Sequence, residues 1–211
     1  MKKALFAALC FIIVGFMMVN GTFAQLDWGD IFKELGGAFG APTRDPGKMD
    51  VDLVNVGQIE QLYPGGSATC SVAVKNEGSL NACFRLAFAV QYDAETWDML
   101  TFRFSAGEEY IQTSGWTDIT VGGTPYRMQV FTFKEALAAS SQSSPVSITI
   151  AMDKDITSQQ IARYRSDFLQ TQVLAIEADL FMQPSENNAV AYTAVEALDM
   201  ALPLSGFNPF D

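Results

Sequence analysis

"VAVKNEGSLNACFRLAFAV", residues 72–90, is the stretch whose reading decides the fold. Two apolar runs flank a polar connection carrying Asn76, Gly78, Ser79 and Asn81. Val72 and Val74 alternate with small or polar residues, and so do Phe84, Leu86, Phe88 and Val90. A period of two places each set on one face of a strand. The stretch therefore reads as a β-hairpin that forms a piece of core wall, with Val72, Val74, Phe84, Leu86 and Phe88 facing inward, rather than as the surround of an active site. Cys70 shares the face of Val72, whereas Cys83 falls on the opposite face of its strand, beside Arg85. Partners across a strict hairpin share a face, so the alternation speaks against a Cys70–Cys83 disulfide. A bulge would restore the match, and the pairing stays open.

Outward from this stretch the pattern repeats. "MDVDLVNVGQIEQLY" precedes it and the turn Pro64-Gly65-Gly66 separates the two. "WDMLTFRFS", "EYIQTSGWTDITV", "PYRMQVFTF", "VSITIAM" and "LQTQVLAIEADLFMQ" follow, divided by Gly-, Pro- and Ser-rich turns. One helix-like stretch, "TSQQIARYRSDF", interrupts them, with Thr157 or Ser158 as its N-cap. The residues after Pro184 read as a small, polar, irregular tail. Short strands at this spacing predict an all-β, antiparallel sandwich of jelly-roll type with a short helical insertion.

The N-terminus reads differently. Lys2 and Lys3 precede an unbroken apolar run from Ala4 to Val19, then Asn20-Gly21, then Thr22-Phe23-Ala24 with small residues at the −3 and −1 positions. That is the layout of a secretory signal at residues 1–24, cleaved between Ala24 and Gln25. The run is short for a hydrocarbon core of roughly 30 Å. Residues 25–48 then form an N-terminal extension and linker, and residues 49–200 the sandwich domain, with 201–211 as a C-terminal tail. "LPLSG" at 202–206 imitates a wall-sorting signal, but the apolar span and basic tail that such a signal needs do not follow it.

Removing Lys2 and Lys3 leaves 11 basic residues against 24 acidic ones, a net charge near −13. Such a surface repels nucleic acid and anionic membranes. The chain contains no histidine. This removes Ser/His and Cys/His nucleophile pairs and every imidazole-dependent zinc site. No cofactor is expected and the chain is not expected to be an enzyme.

Three segments taken in order carry a family likeness: "YPGGSATCSVAVKNEGSLNACFRLAFAV", "GWTDITVGGTPYRMQVFTFKEALAASSQSSPVSITIAMDKDIT" and "LQTQVLAIEADLFMQPSENNA". Over roughly residues 60–195 the order resembles the camelysin/TasA family of exported proteins of Gram-positive bacteria, which are processed by a SipW-type signal peptidase. The resemblance implies a jelly-roll sandwich and a secreted subunit of extracellular-matrix or cell-surface fibres. In such fibres one subunit's N-terminal segment completes the sheet of the next. The implied partners are further copies of the chain or a related matrix subunit, and the signal peptidase during export. Leu26, Trp28, Ile31, Phe32 and Leu35 would be the apolar anchors of the assembly segment, although "DWGDIFKELGGAFG" is more helix-like than a simple donor strand. Camelysin-like members have been classed as metallopeptidases, but this chain has neither HExxH nor any histidine to replace it.

Other candidates are weaker. Asp50 with Asp52, Glu108 with Glu109, and Asp153 with Asp155 offer oxygen ligands for calcium, but the ligand order of a calcium loop is missing. Trp97, Trp116, Tyr110 and Tyr126 could line the sugar-binding face of a monomeric adhesin, the alternative reading. Aromatic residues in a sandwich more often pack the core.

Overall fold

The two runs of the 72–90 stretch are strands, but they do not pair with each other. The computed structural model describes residues 47–55, 59, 62–113, 115–161, 164, 168–182, 191–205 and 208–210. In chain order its elements are β1 (Val51–Asn55), β2 (Ser67–Asn76), β3 (Ala82–Gln91), β4 (Leu100–Ser105), β5 (Tyr110–Gln112), β6 (Thr117–Val121), β7 (Thr124–Phe133), β8 (Val146–Met152), α1 (Ser158–Ile161), β9 (Leu169–Glu177), α2 (Asp179–Met182) and α3 (Ala194–Ala201). The first sheet has the order β1-β2-β8-β4, and the second β5-β7-β3-β9 with β6 also on β7. Every strand pair is antiparallel. The protein is an antiparallel β-sandwich of jelly-roll type, and its compact unit runs from Met49 to Phe210.

Residues 76–81 therefore carry the chain from one sheet to the other, and the expected hairpin is instead an arch. Asn76 makes the crossing stable. Its side chain is fully buried, its Nδ2 donates to Leu80 O (2.8 Å) and Leu137 O (3.2 Å), and its Oδ1 accepts from Gly78 N (3.0 Å). The backbone groups that a hairpin would pair across a turn are satisfied by this one side chain and by Asp50 O, which accepts from Glu77 N and Gly78 N. A hairpin does occur where the chain has two glycines. Gly122 and Gly123, at φ 55° and 82°, join β6 to β7 through the two-residue turn that a right-twisted ribbon favours.

The inward faces match the alternation. Val72, Val74, Phe84, Leu86 and Phe88 are all fully buried in one core with Val146, Ile148 and Ile150 of β8. Cys70 lies in that core, and Cys83 lies on the far side of β3. Both are free thiols. Two strands in different sheets, with the two sulfurs on opposite sides of β3, bring no disulfide together.

β3 is buried along nearly its whole length on both faces. Its outer face is covered by α3, a helix that stands where a polar, irregular tail was expected. The signal was present in the sequence as Thr193-x-x-Glu196. Thr193 accepts from Glu196 N, and the Glu196 carboxylate accepts from Thr193 N (2.9 Å), a complete capping box. Eight residues are too few to hold a helix in water. Packing holds it, since Ala194 and Leu198 are buried in one cluster with Cys83 and Leu174, and Ala197 is buried as well. Leu202, Leu204 and Phe210 beyond the helix also pack on the second sheet.

Arg85 fixes the helix in place. It is the largest fully buried side chain, on the outer face of β3. Its Nε donates to Thr132 Oγ1 (3.2 Å), Nη1 to Leu198 O (3.4 Å) and to Leu202 O, and Nη2 to the Asp199 carboxylate. A cation at the carboxyl end of a helix also meets the negative pole of its dipole.

Two further expected elements differ in extent among the described residues. The helix expected over 157–168 is described as α1, Ser158–Ile161, with the Gln160 side chain accepting from Thr157 N (2.9 Å). The last strand stops at Glu177, and Ala178 O turns the chain into α2 by accepting from Phe181 N and Met182 N.

Replacing Leu86 by Ala is expected to cost about 2–5 kcal/mol. Arg85→Met should cost about 1–3 kcal/mol, because it leaves the Leu202 carbonyl without the guanidinium that it accepts from. Asp199 is 62% exposed, so Asp199→Asn should stay within about 0.5 kcal/mol. Urea unfolding of the three variants measures this order.

Candidate functional site

The acidic pairs do not converge. Asp153 and Asp155 sit exposed in the turn after β8, where Asp153 Oδ1 accepts from Asp155 N (2.9 Å). That oxygen closes an Asx turn instead of facing a cation. Asp52 lies exposed on β1 opposite Lys75, and Asp50 lies just before that strand. The Glu109 carboxylate accepts from Ser144 Oγ, which holds its pKa below the usual carboxylate range, while Glu108 is exposed. Among the described residues no group of His, Cys, Asp and Glu could hold a metal ion.

The aromatic residues pack on one another. Trp97, Tyr110 and Tyr126 are buried, and Trp116 is half-buried. Trp97 meets Trp116 edge-on at 5.3 Å and Phe102 at 4.7 Å, closing the flank between β4 and β6. The Arg127 guanidinium lies 4.0 Å from the centre of the Tyr92 ring and 4.9 Å from that of Trp97, anchored by Asp118 at 2.9 Å. These four residues form no exposed flat platform for a sugar ring. Ala24, Gln25, Leu26, Trp28, Ile31, Phe32 and Leu35 lie outside the described residues.

What remains is the set of strand edges, whose outward backbone N–H and C=O groups no described strand pairs. Natural sandwiches blunt such edges with short strands, charges, bulges or covering segments. The β5/β6 edge is interrupted. Gly115 adopts φ 77°, and Thr113 is drawn onto β7, its N and Oγ1 both donating to Val130 O (3.0 and 3.1 Å). β4 has six residues and carries exposed Arg103, and β1 has five and carries exposed Asp52.

β9 has no break, proline or internal charge, although β1 of the first sheet runs close to it. It is nine residues long, "LQTQVLAIE", without proline, lysine or arginine, and its single charge is the terminal Glu177. It pairs with β3 without a break from Ala82↔Glu177 to Val90↔Leu169. At its two ends Gln91 N donates to Phe168 O (2.7 Å) and Ala178 N to Asn81 O (2.9 Å). Antiparallel bonding alternates along a strand. The even-numbered residues of β9 therefore turn their backbone groups to β3, and Leu169, Thr171, Val173, Ala175 and Glu177 turn theirs to the other side. Among the described residues no strand pairs with that side. Leu169, Val173 and Ala175 pack on the main core, and Leu174 and Ile176 on the cluster under α3, so the strand is held rigid from both faces. The sequence signal was there in the charge-free run 169–176. Only the sheet order identifies it as an edge.

No family model matches this chain, and no curated protein matches it. Several solved structures are similar to it, two of them as follows. One is AvmM, which catalyzes macrocyclization in alchivemycin A biosynthesis, with TM-score 0.35 and 10% identity over 60% of this chain and 87% of that one. The other is the carbohydrate-binding module CBM3b of the cellulosomal cellobiohydrolase 9A from Clostridium thermocellum, with TM-score 0.37 and 14% identity over 61% of this chain and 92% of that one. Neither likeness says what this chain binds.

Two consequences can be measured. Burial raises the pKa of both thiols, and with Asp179 nearby it pushes Cys83 up to about 11. In the chain starting at Gln25, Cys70 and Cys83 should resist a thiol reagent at pH 8 until the protein is unfolded, when both should react. Burial, then Asp179, also raises the pKa of Glu177. Its ionised form is therefore disfavoured by folding. That penalty is present above the folded pKa and gone below the unfolded one. Glu177→Gln should raise Tm at pH 7, and the gain should vanish below about pH 4, near the ordinary glutamate pKa.

Proposed function

We propose that this protein is a secreted structural subunit of an extracellular matrix or of surface fibres, and that it self-associates by pairing strands across sheet edges. The observation that carries the reading is the β9 edge: nine residues, regular, almost uncharged, and braced on both faces. A monomer that must stay soluble normally protects such an edge, whereas a chain that polymerises uses it, since main-chain bonds supply affinity without a shaped pocket. The signal-like leader and the camelysin/TasA resemblance support the same reading. They add the segment Gln25–Lys48, with Leu26, Trp28, Ile31, Phe32 and Leu35, as the part freed by cleavage to join a neighbour. No catalytic role is assigned to any residue.

The charge sets the conditions. With a net charge of −11 for the whole chain and a sequence pI near 4.3, copies repel one another at neutral pH and low salt. Added salt, or acidification toward the pI, should promote assembly. Light scattering of the chain starting at Gln25, against one starting at Asp50, from pH 7 to about 4.5 tests the reading. The longer form is expected to assemble as pH falls and the shorter one to lag. If both stay monomeric throughout, the fibre reading fails and a monomeric adhesin or glycan-binding sandwich takes its place. Equal assembly would remove the N-terminal segment from the mechanism.

A further inference from the structure

We infer that the β9 edge pairs with the β9 edge of a second copy, antiparallel about a two-fold axis at Val173, joining the two β3-containing sheets into one continuous sheet. This rests on the self-association proposed above and names one contact that makes it. The backbone groups on the side that no described strand pairs belong to Leu169, Thr171, Val173, Ala175 and Glu177, by the alternation that the bonds at Phe168 and Ala178 fix. Val173 is the middle residue of the strand. Rotation about it sets Val173 against Val173, Thr171 against Ala175, and Leu169 against Glu177. Each of these becomes a hydrogen-bonded pair, so every outward N–H and C=O of the nine-residue strand finds a partner at once.

The side chains agree with that register. On the core face Val173 meets Val173 and Thr171 meets Ala175. On the outer face Gln172 meets Leu174 and Gln170 meets Ile176. No like charges oppose, because the one carboxylate, Glu177, faces Leu169. The other edges fit a second copy less well. A two-fold pairing of β4 about its middle would bring two copies of exposed Arg103 close together, and the β5/β6 edge is broken at Gly115. A two-fold contact between identical edges closes on a pair. A fibre therefore needs another contact, and the N-terminal segment is free to supply it.

The test uses the chain starting at Gln25. In a hydrogen-bonded antiparallel pair the Cα atoms lie about 5.5 Å apart, inside the roughly 4.4–6.8 Å that a disulfide spans. Val173→Cys should therefore form a disulfide dimer on mild oxidation, seen on a non-reducing gel, while buried Cys70 and Cys83 form none. Adding Thr171→Pro removes an outward N–H that β3 does not use, and the dimer should be lost with the far-UV spectrum unchanged. Gln172→Lys, which places a charge on the same edge without touching the backbone, should also abolish the dimer and serves if the proline variant misfolds. Cross-linking that survives both substitutions overturns the inference. So does its absence from Val173→Cys while the unmodified chain assembles in light scattering, in which case self-association stands and β9 is joined by another segment. An unmodified chain that stays monomeric under all conditions overturns both.

Discussion

The structure depends on covering the outer face of β3, the central strand of the second sheet. The inner face of that strand carries Phe84, Leu86 and Phe88, which form the core with the first sheet. Its outer face carries Cys83, Arg85 and Ala87, none exposed. A buried guanidinium without acceptors would be intolerable in such a place. The last turn of α3 supplies them, through Leu198 O, Leu202 O and Asp199. The dependence is mutual, because a helix of eight residues needs a docking surface and Arg85 satisfies the Leu202 carbonyl at its end. No buried side-chain nitrogen or oxygen lacks a partner among the described residues.

This cover makes the two sheets unequal. The outward face of the first sheet carries hydroxyl pairs, Thr69 with Thr149 at 2.8 Å and Ser71 with Ser147 at 2.6 Å, and faces water. The second sheet is covered on both sides over β3 and β9. A strand braced from both faces holds its backbone in register before any partner arrives, which lowers the ordering cost of adding another strand. The aromatic cluster around Trp97 and Trp116 closes the flank where β4 and β6 meet. At the other end of the second sheet β9 has no strand paired on its far side among the described residues.

Polymerisation and catalysis ask different things of a fold. A catalytic site needs titratable groups set together in a cleft, and among the described residues several carboxylates instead cap and bridge. Glu196 caps α3, Glu109 anchors Ser144, and Asp118 holds Arg127 over its rings. An assembling subunit needs only a regular edge and a charge that controls when copies meet. Under the assembly proposed above, 24 acidic residues against 13 basic ones would supply that charge.

The sequence by itself determined the strands and their faces. The alternation at Val72 and Val74, and at Phe84, Leu86 and Phe88, specifies which side chains are buried, because a strand's side-chain period does not depend on what it packs against. It also placed Cys83 and Arg85 together on the far side of β3, and the absence of histidine narrowed the chemistry. The tertiary structure decided the partners. Nothing local distinguishes a hairpin from an arch at residues 76–81, since the choice rests on Asn76 reaching Leu137, far along the chain. Nor does anything local say that "LQTQVLAIE" is an edge, because a strand is an edge only by the order of the sheet. The helix at 194–201 combined both kinds of information. Thr193 and Glu196 marked its start, but its stability comes from a sheet face and a guanidinium that only folding brings beneath it.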